Sequence, residues 1–146
     1  MKPVKVILVG MGGYGGAYVN MLLAADEAAQ PFEWVAGVEP CPERCARLAE
    51  VKDATIPIYT QLDEALAQHN AELIIVSTPI HTHLRLAERA LASGASVLLE
   101  KPLCGTLREV DQLQAAEDAA PGFVAVGYQF AYSDALQSFI ADIQSG

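Results

Sequence analysis

Basic residues are scarce in this 146-residue sequence, where nine Lys and Arg stand against eighteen Asp and Glu for a formal net charge of −9. The nine are scattered, with no stripe concentrated enough to hold a nucleic-acid backbone. Long apolar runs are missing too, and none approaches the roughly 20 residues of a membrane helix. Val6-Ile7-Leu8-Val9, behind Lys2 and Lys5, is shorter than the about 7–15 apolar residues of a signal peptide. The expectation is a cytoplasmic protein with neither a membrane nor a nucleic acid as partner. Cysteine is limited to Cys41, Cys45 and Cys104, an odd set with no His or second pair at ligand spacing. Free reduced thiols and no metal site are therefore expected. No repeat, linker or low-complexity tract interrupts the chain.

What is present is a large apolar fraction, 52% against 18% charged, on a chain long enough to bury a core without staples. Short β-rich runs alternate with helical patterns, the signature of parallel βαβ units. Strands are predicted at Val4–Val9, Phe32–Val38, Ile58–Tyr59, Leu73–Val76, Ser96–Leu99 and Phe123–Val126. The intervening helices are predicted from the glycines to about Ala25, over Pro42–Val51, after a Thr60 cap with Asp63 three residues on, and over His81–Ser93. A further helix opens at a Thr106–Glu109 capping box, and an amphipathic segment over Ser133–Ile143 closes the chain. Leu62, Ala65 and Leu66 are expected to face inward, as are Leu84, Ala87 and Leu91. Arg85, Glu88 and Arg89 fall on the other side of that helix, and Leu107, Val110 and Leu113 form the apolar stripe of the next. Six such strands with right-handed crossovers build one doubly wound, mostly parallel α/β sheet of three layers, a Rossmann fold.

Gly10-Met11-Gly12-Gly13-Tyr14-Gly15 matches G-x-G-x-x-G between the first strand and the first helix. Gly10 permits a tight turn, Gly12 admits the pyrophosphate to the backbone, and Gly15 lets the helix sit close to the sheet. Main-chain amides and the positive end of the helix then meet a diphosphate. Glu39 ends the second strand about 24 residues after Gly15, near the usual place of the carboxylate that accepts from the adenosine ribose hydroxyls. A carboxylate there favours NAD over NADP, and Arg44 nearby softens that preference, so both cofactors stay open. Ser77-Thr78-Pro79 follows the fourth strand, where such a sheet opens its crevice, and Thr78 offers a hydroxyl there. His81 and His83 begin the next helix on different sides, which argues against a shared metal. Glu100-Lys101-Pro102 leaves the fifth strand at the same edge, and a lysine there suits orienting a hydroxyl or moving its proton. An exposed Glu-Lys pair in a turn is the plainer alternative for that dipeptide.

Together these blocks make the sequence resemble the Gfo/Idh/MocA oxidoreductases from Val4 to about Tyr128. The likeness rests on the glycine motif, on Val38-Glu39-Pro40, on Ser77 to His83, and above all on Ala90 to Pro102. It implies NAD(P)-dependent hydride transfer at a secondary alcohol or ketone of a sugar, cyclitol or related metabolite. It also implies that Lys101 is the catalytic lysine, contacting the reacting hydroxyl and the cofactor ribose. By the same likeness Glu100 and the Pro79–His83 turn frame the nicotinamide, which makes His83 a pocket residue. Gly10, Gly12, Gly13, Tyr14, Gly15, Glu39, Thr78, Pro79, His83, Glu100 and Lys101 thus form the expected cofactor set. The chain departs from the family at Gly127-Tyr128-Gln129-Phe130-Ala131-Tyr132, where an Arg is usual. Residues 1–128 are expected to be the dinucleotide-binding domain, and 129–146 to lead toward a C-terminal substrate domain. That domain would supply a catalytic His and the subunit contacts of a homo-oligomer. The competing reading is a stand-alone, non-catalytic domain that senses a dinucleotide.

Overall fold

A computed structural model describes residues 2–24, 31–129 and 133–145. Six strands form one sheet: β1 (Val4–Val9), β2 (Phe32–Val38), β3 (Ile58–Tyr59), β4 (Leu73–Val76), β5 (Ser96–Leu99) and β6 (Val124–Val126). All neighbours are parallel, in the order β3-β2-β1-β4-β5-β6. This is the doubly wound order whose direction of growth reverses between β1 and β4.

Alternation along the strands divides the core into two layers. Ile7, Val9, Ile74, Val76, Val97 and Leu99 face one side, where they meet α3 (Leu62–Gln68), α4 (His83–Ala92) and α5 (Leu107–Asp118). Val6, Leu8, Trp34 and Ile75 face the other, against α1 (Gly15–Ala24) and α2 (Leu48–Asp53). With both faces covered, β1 and β4 need to be apolar at nearly every position, as their sequences are. Met11, inside the glycine motif, is itself a core residue; a Cβ on Gly37 would stand 2.6 Å from its sulfur.

Several local expectations are corrected. The helix predicted over Pro42–Val51 is a 3-10 turn at Pro42–Arg44 followed by α2, because Cys45 takes an extended backbone (ψ 112°) and buries its side chain between them. The helix predicted from His81 begins as a 3-10 turn, Ile80–Thr82, and is α-helical only from His83. There the Thr82 hydroxyl donates back to the Pro79 carbonyl at 2.7 Å, the kind of local bond that competes with the α-helical ladder. The cap of α3 is Gln61 rather than Thr60, with Glu64 closing the box and also accepting from the Thr60 amide and hydroxyl. Leu107 is 84% exposed while Leu113 is buried. Six residues of helix turn those two about 120° apart, so they do not share a face.

The predicted start of β6 at Phe123 moves to Val124, and the expected end of the first helix near Ala25 lies outside the described residues. The Thr106–Glu109 box opens α5 as expected. Ser93 and Gly94, with φ +89° at the glycine, end α4. The final helix, α6 (Asp134–Ser145), has no buried residue. Among the described residues no helix is long and apolar enough to cross a membrane.

Candidate cofactor site

The carboxyl ends of β1, β2, β4 and β5 converge on one edge, and the loops leaving them build the site. The turn from β1 into α1 is packed to its limit. Gly10 has φ +86°, and a Cβ there would lie 2.2 Å from the Ser77 carbonyl oxygen. A Cβ on Gly15 would lie 2.1 Å from the oxygen of Gly10, so the helix start and the strand end touch backbone to backbone. Gly13 is the opposite case, because a Cβ there would meet nothing within 4 Å. Gly15, Gly16 and Ala17 donate their amides to Gly12, Gly13 and Tyr14 carbonyls. Among the described residues no acceptor meets the Gly13 or Tyr14 amide, which leaves both donors for an anion at the helix start.

Glu39 is buried and already engaged. Its Oε2 accepts from the Met11 amide at 2.9 Å and the Gly12 amide at 3.3 Å, and its Oε1 accepts from the Cys41 amide at 3.1 Å. The acid at the end of β2 therefore pins the glycine loop. Oε2 thus already holds two donors, whereas Oε1 holds one and has room for a second, so a ribose hydroxyl at Oε1 does not compete with the loop amides for a lone pair.

A cleft of about 410 Å³ opens in front of these groups, within the range of small-molecule sites. Gly10, Gly12, Gly13 and Glu39 line it together with Ser77, Thr78, Pro79, Arg44 and Arg85. Arg85 reads from helix periodicity as a solvent-facing residue. It is exposed as expected, and its position in the first turn of α4, at the carboxyl edge of the sheet, also brings it to the rim of the cleft, which periodicity does not encode.

A second cleft of about 300 Å³ continues past the loop, lined by Gly12, Tyr14, Ser77, Thr78, Pro79, Glu100 and Lys101. The Lys101 ammonium lies 5.9 Å from the centre of the Tyr14 ring. Glu100 is buried, its Oε2 accepting from the Lys101 amide at 3.1 Å and its Oε1 from the Tyr18 hydroxyl at 2.5 Å. Burial, and then the bond to the Glu100 carboxylate, push the Tyr18 phenol well above its ordinary range. Tyr18 is the polar partner that sequence reading overlooked. One turn into an apolar helix it looks like a core aromatic, and only the sheet order places it beside β5.

Among the expected cofactor set, every residue but Gly15 and His83 lines one of the two clefts. Gly15 lies beneath the loop against Gly10. His83 is 1% exposed, and its two ring nitrogens face the main-chain carbonyls of Thr78, Pro102 and Leu103. The three cysteines are free, and among the described residues no group of three or more His, Cys, Asp or Glu could hold a metal.

The chain matches the model of an oxidoreductase family with an NAD-binding Rossmann fold over residues 4–128. It is 36% identical over 114 residues to a putative UDP-kanosamine synthase oxidoreductase subunit from Amycolatopsis mediterranei, covering 78% of this chain and 30% of that protein. Among solved structures it resembles GenD2 from gentamicin A biosynthesis in complex with NAD (30% identity, TM-score 0.78, 92% of this chain and 37% of that one). It also resembles the WlbA dehydrogenase of Bordetella pertussis in complex with NADH and UDP-GlcNAcA (25% identity, TM-score 0.84, 99% and 43%). The chain thus spans about a third of the length of the curated relatives it matches. On the family match, the fold and the motif-bearing crevice together, this chain belongs to the Gfo/Idh/MocA oxidoreductases and carries their NAD-binding Rossmann domain.

Proposed function

We propose that the chain is the cofactor-binding part of a cytoplasmic enzyme that moves hydride between a nicotinamide and a secondary alcohol or ketone of a sugar, cyclitol or related metabolite. The observation that carries this reading is the convergence of the glycine loop, Glu39, the Ser77–Pro79 turn and Glu100-Lys101 on two adjoining clefts that share Gly12, Ser77, Thr78 and Pro79. The names of the neighbours, which concern nucleotide sugars and an aminoglycoside, support a sugar-like substrate.

In this reading the open amides of Gly13 and Tyr14 and the start of α1 hold the diphosphate. Glu39 accepts from the adenosine ribose while keeping the loop in place, which favours NAD over NADP. Thr78, Pro79, Glu100 and Lys101 frame the other end, where bound nicotinamide supplies or takes up the hydride. Lys101 orients the substrate oxygen and shares its proton, and residues 129–146 lead to a second domain that provides the remaining acid/base and the substrate contacts.

Calorimetric titration with NADH and NADPH tests the cofactor half. NADH is expected to bind, and more tightly than NADPH; failure of both at millimolar concentration with folded protein would sink the reading. Lys101→Ala is expected to leave NADH affinity within about a factor of two, since the lysine serves the substrate oxygen rather than the diphosphate. Residues 1–146 alone are expected to show little or no turnover, and robust dehydrogenase activity from them would contradict the role given to a second domain.

A further inference from the structure

The two loops that frame the Lys101 end of the crevice come from different crossovers, and one buried side chain joins them. His83 opens α4, yet its imidazole reaches across to the loop after β5. Nε2 lies 2.9 Å from the Thr78 carbonyl, and Nδ1 lies 3.1 Å from the Pro102 carbonyl and 3.2 Å from that of Leu103. All three acceptors are main-chain oxygens, so the ring reads the path of the two loops and not the identity of their side chains. Either neutral tautomer donates to one loop, and the imidazolium donates to both.

We propose that His83 is a positioning residue. It clamps the Ser77–Pro79 turn to the Lys101–Leu103 loop and thereby sets the place of Lys101 in the crevice. Three observations support this. The ring is 1% exposed and lines neither cleft, so it is not available to touch a ligand there. Of the residues whose carbonyls it meets, Thr78 lines the smaller cleft, and Pro102 directly follows Lys101, which lines it too. Lys101 has a second tie on the opposite flank, its amide bonded to a Glu100 carboxylate that Tyr18 holds, so releasing His83 frees one flank of the loop and leaves the other. What the crevice binds rests on the dinucleotide reading above; the clamp itself does not.

Hydrogen–deuterium exchange on the 146-residue chain tests it, with and without NADH. In His83→Ala the segments 77–82 and 100–105 are expected to exchange about tenfold faster or more, while β1 and β4 amides change far less, because a local opening is distinct from a global one. NADH should slow exchange at the glycine loop in both proteins but at 100–105 only in the wild type, a ligand-linked signature that a purely architectural role would not lose. His83→Gln, whose amide nitrogen donates on one side only, replaces the alanine variant should that fail to fold, with the same loss expected in at least one loop. A uniform rise in exchange, no rise at all, or NADH protection of 100–105 that survives the substitution would each overturn the clamp. Absence of NADH protection anywhere in the wild type would instead sink the dinucleotide reading, while the ligand-free comparison still decides the clamp.

Discussion

Replacing Glu39 with alanine separates two jobs of one carboxylate, and its cost follows from the bonds it makes. The variant removes the acceptor of the Met11, Gly12 and Cys41 amides. Met11 is fully buried, so its amide loses its partner where water does not replace it, at about 1–3 kcal/mol. The Gly12 and Cys41 bonds are only partly buried, and water recovers most of their worth, leaving roughly 1 kcal/mol between them. The sum, about 2–4 kcal/mol, is a large share of the roughly 5–15 kcal/mol that holds a domain together. For a chain of this size it lowers the melting temperature by about 5–15 °C. Glu39→Gln keeps one acceptor oxygen but turns an NH2 group toward an amide donor, so about half that loss is expected. Calorimetric melting of the three proteins without ligand measures the structural role. Titration with NADH and NADPH then measures the second role, with the alanine variant expected to lose the NADH preference. An alanine variant that melts within a degree of the wild type would refute the claim that this carboxylate pins the glycine loop.

Further consequences are equally open to measurement. Gly15→Ala sets a Cβ 2.1 Å from the Gly10 oxygen, backbone against backbone, and is expected to cost about 2–4 kcal/mol in urea denaturation and to weaken NADH binding. Leu91→Ala should cost about 2–5 kcal/mol, whereas Leu107→Ala, at the exposed first position of α5, should stay within about 0.5 kcal/mol; equal losses would contradict the helix faces described here. Because the folded Tyr18 phenol titrates above its unfolded value of about 10, the contribution is intact below pH ~10 and is lost as pH rises beyond that point. Tyr18→Phe should therefore flatten the fall in stability on the alkaline side, and an unchanged profile in urea melts from pH 9 to 12 would refute the role of the Tyr18–Glu100 bond.

Much of this was legible in the order of residues alone. The continuous apolar run of β4, the nearly apolar run of β1, the strand–glycine–helix arrangement at Gly10 to Gly15, and the Thr106–Glu109 box are local patterns with one low-energy outcome each, and they reappear where expected. The stripe on α5 failed for a reason internal to the helix, since a three-residue step drifts backward around the axis and carries Leu107 off the buried face. The Gln61 cap was missed because glutamine is not a favoured capping residue and the acid that completes the box is Glu64, not Asp63.

The sequence by itself determined the elements, their parallel stacking and the chemistry gathered at one edge, because periodicity, glycine and a carboxylate at a strand end act over a few residues. Only the tertiary structure decided which way the polar side chains of that edge turn. Glu39 faces back into the glycine loop, Tyr18 crosses to Glu100, and His83 turns inward onto three carbonyls while Arg85 turns out to the cleft. For Glu39, Tyr18 and His83 those choices involve partners 19 to 82 residues away in the chain, brought within hydrogen-bond reach by the fold, and no local pattern carries that distance.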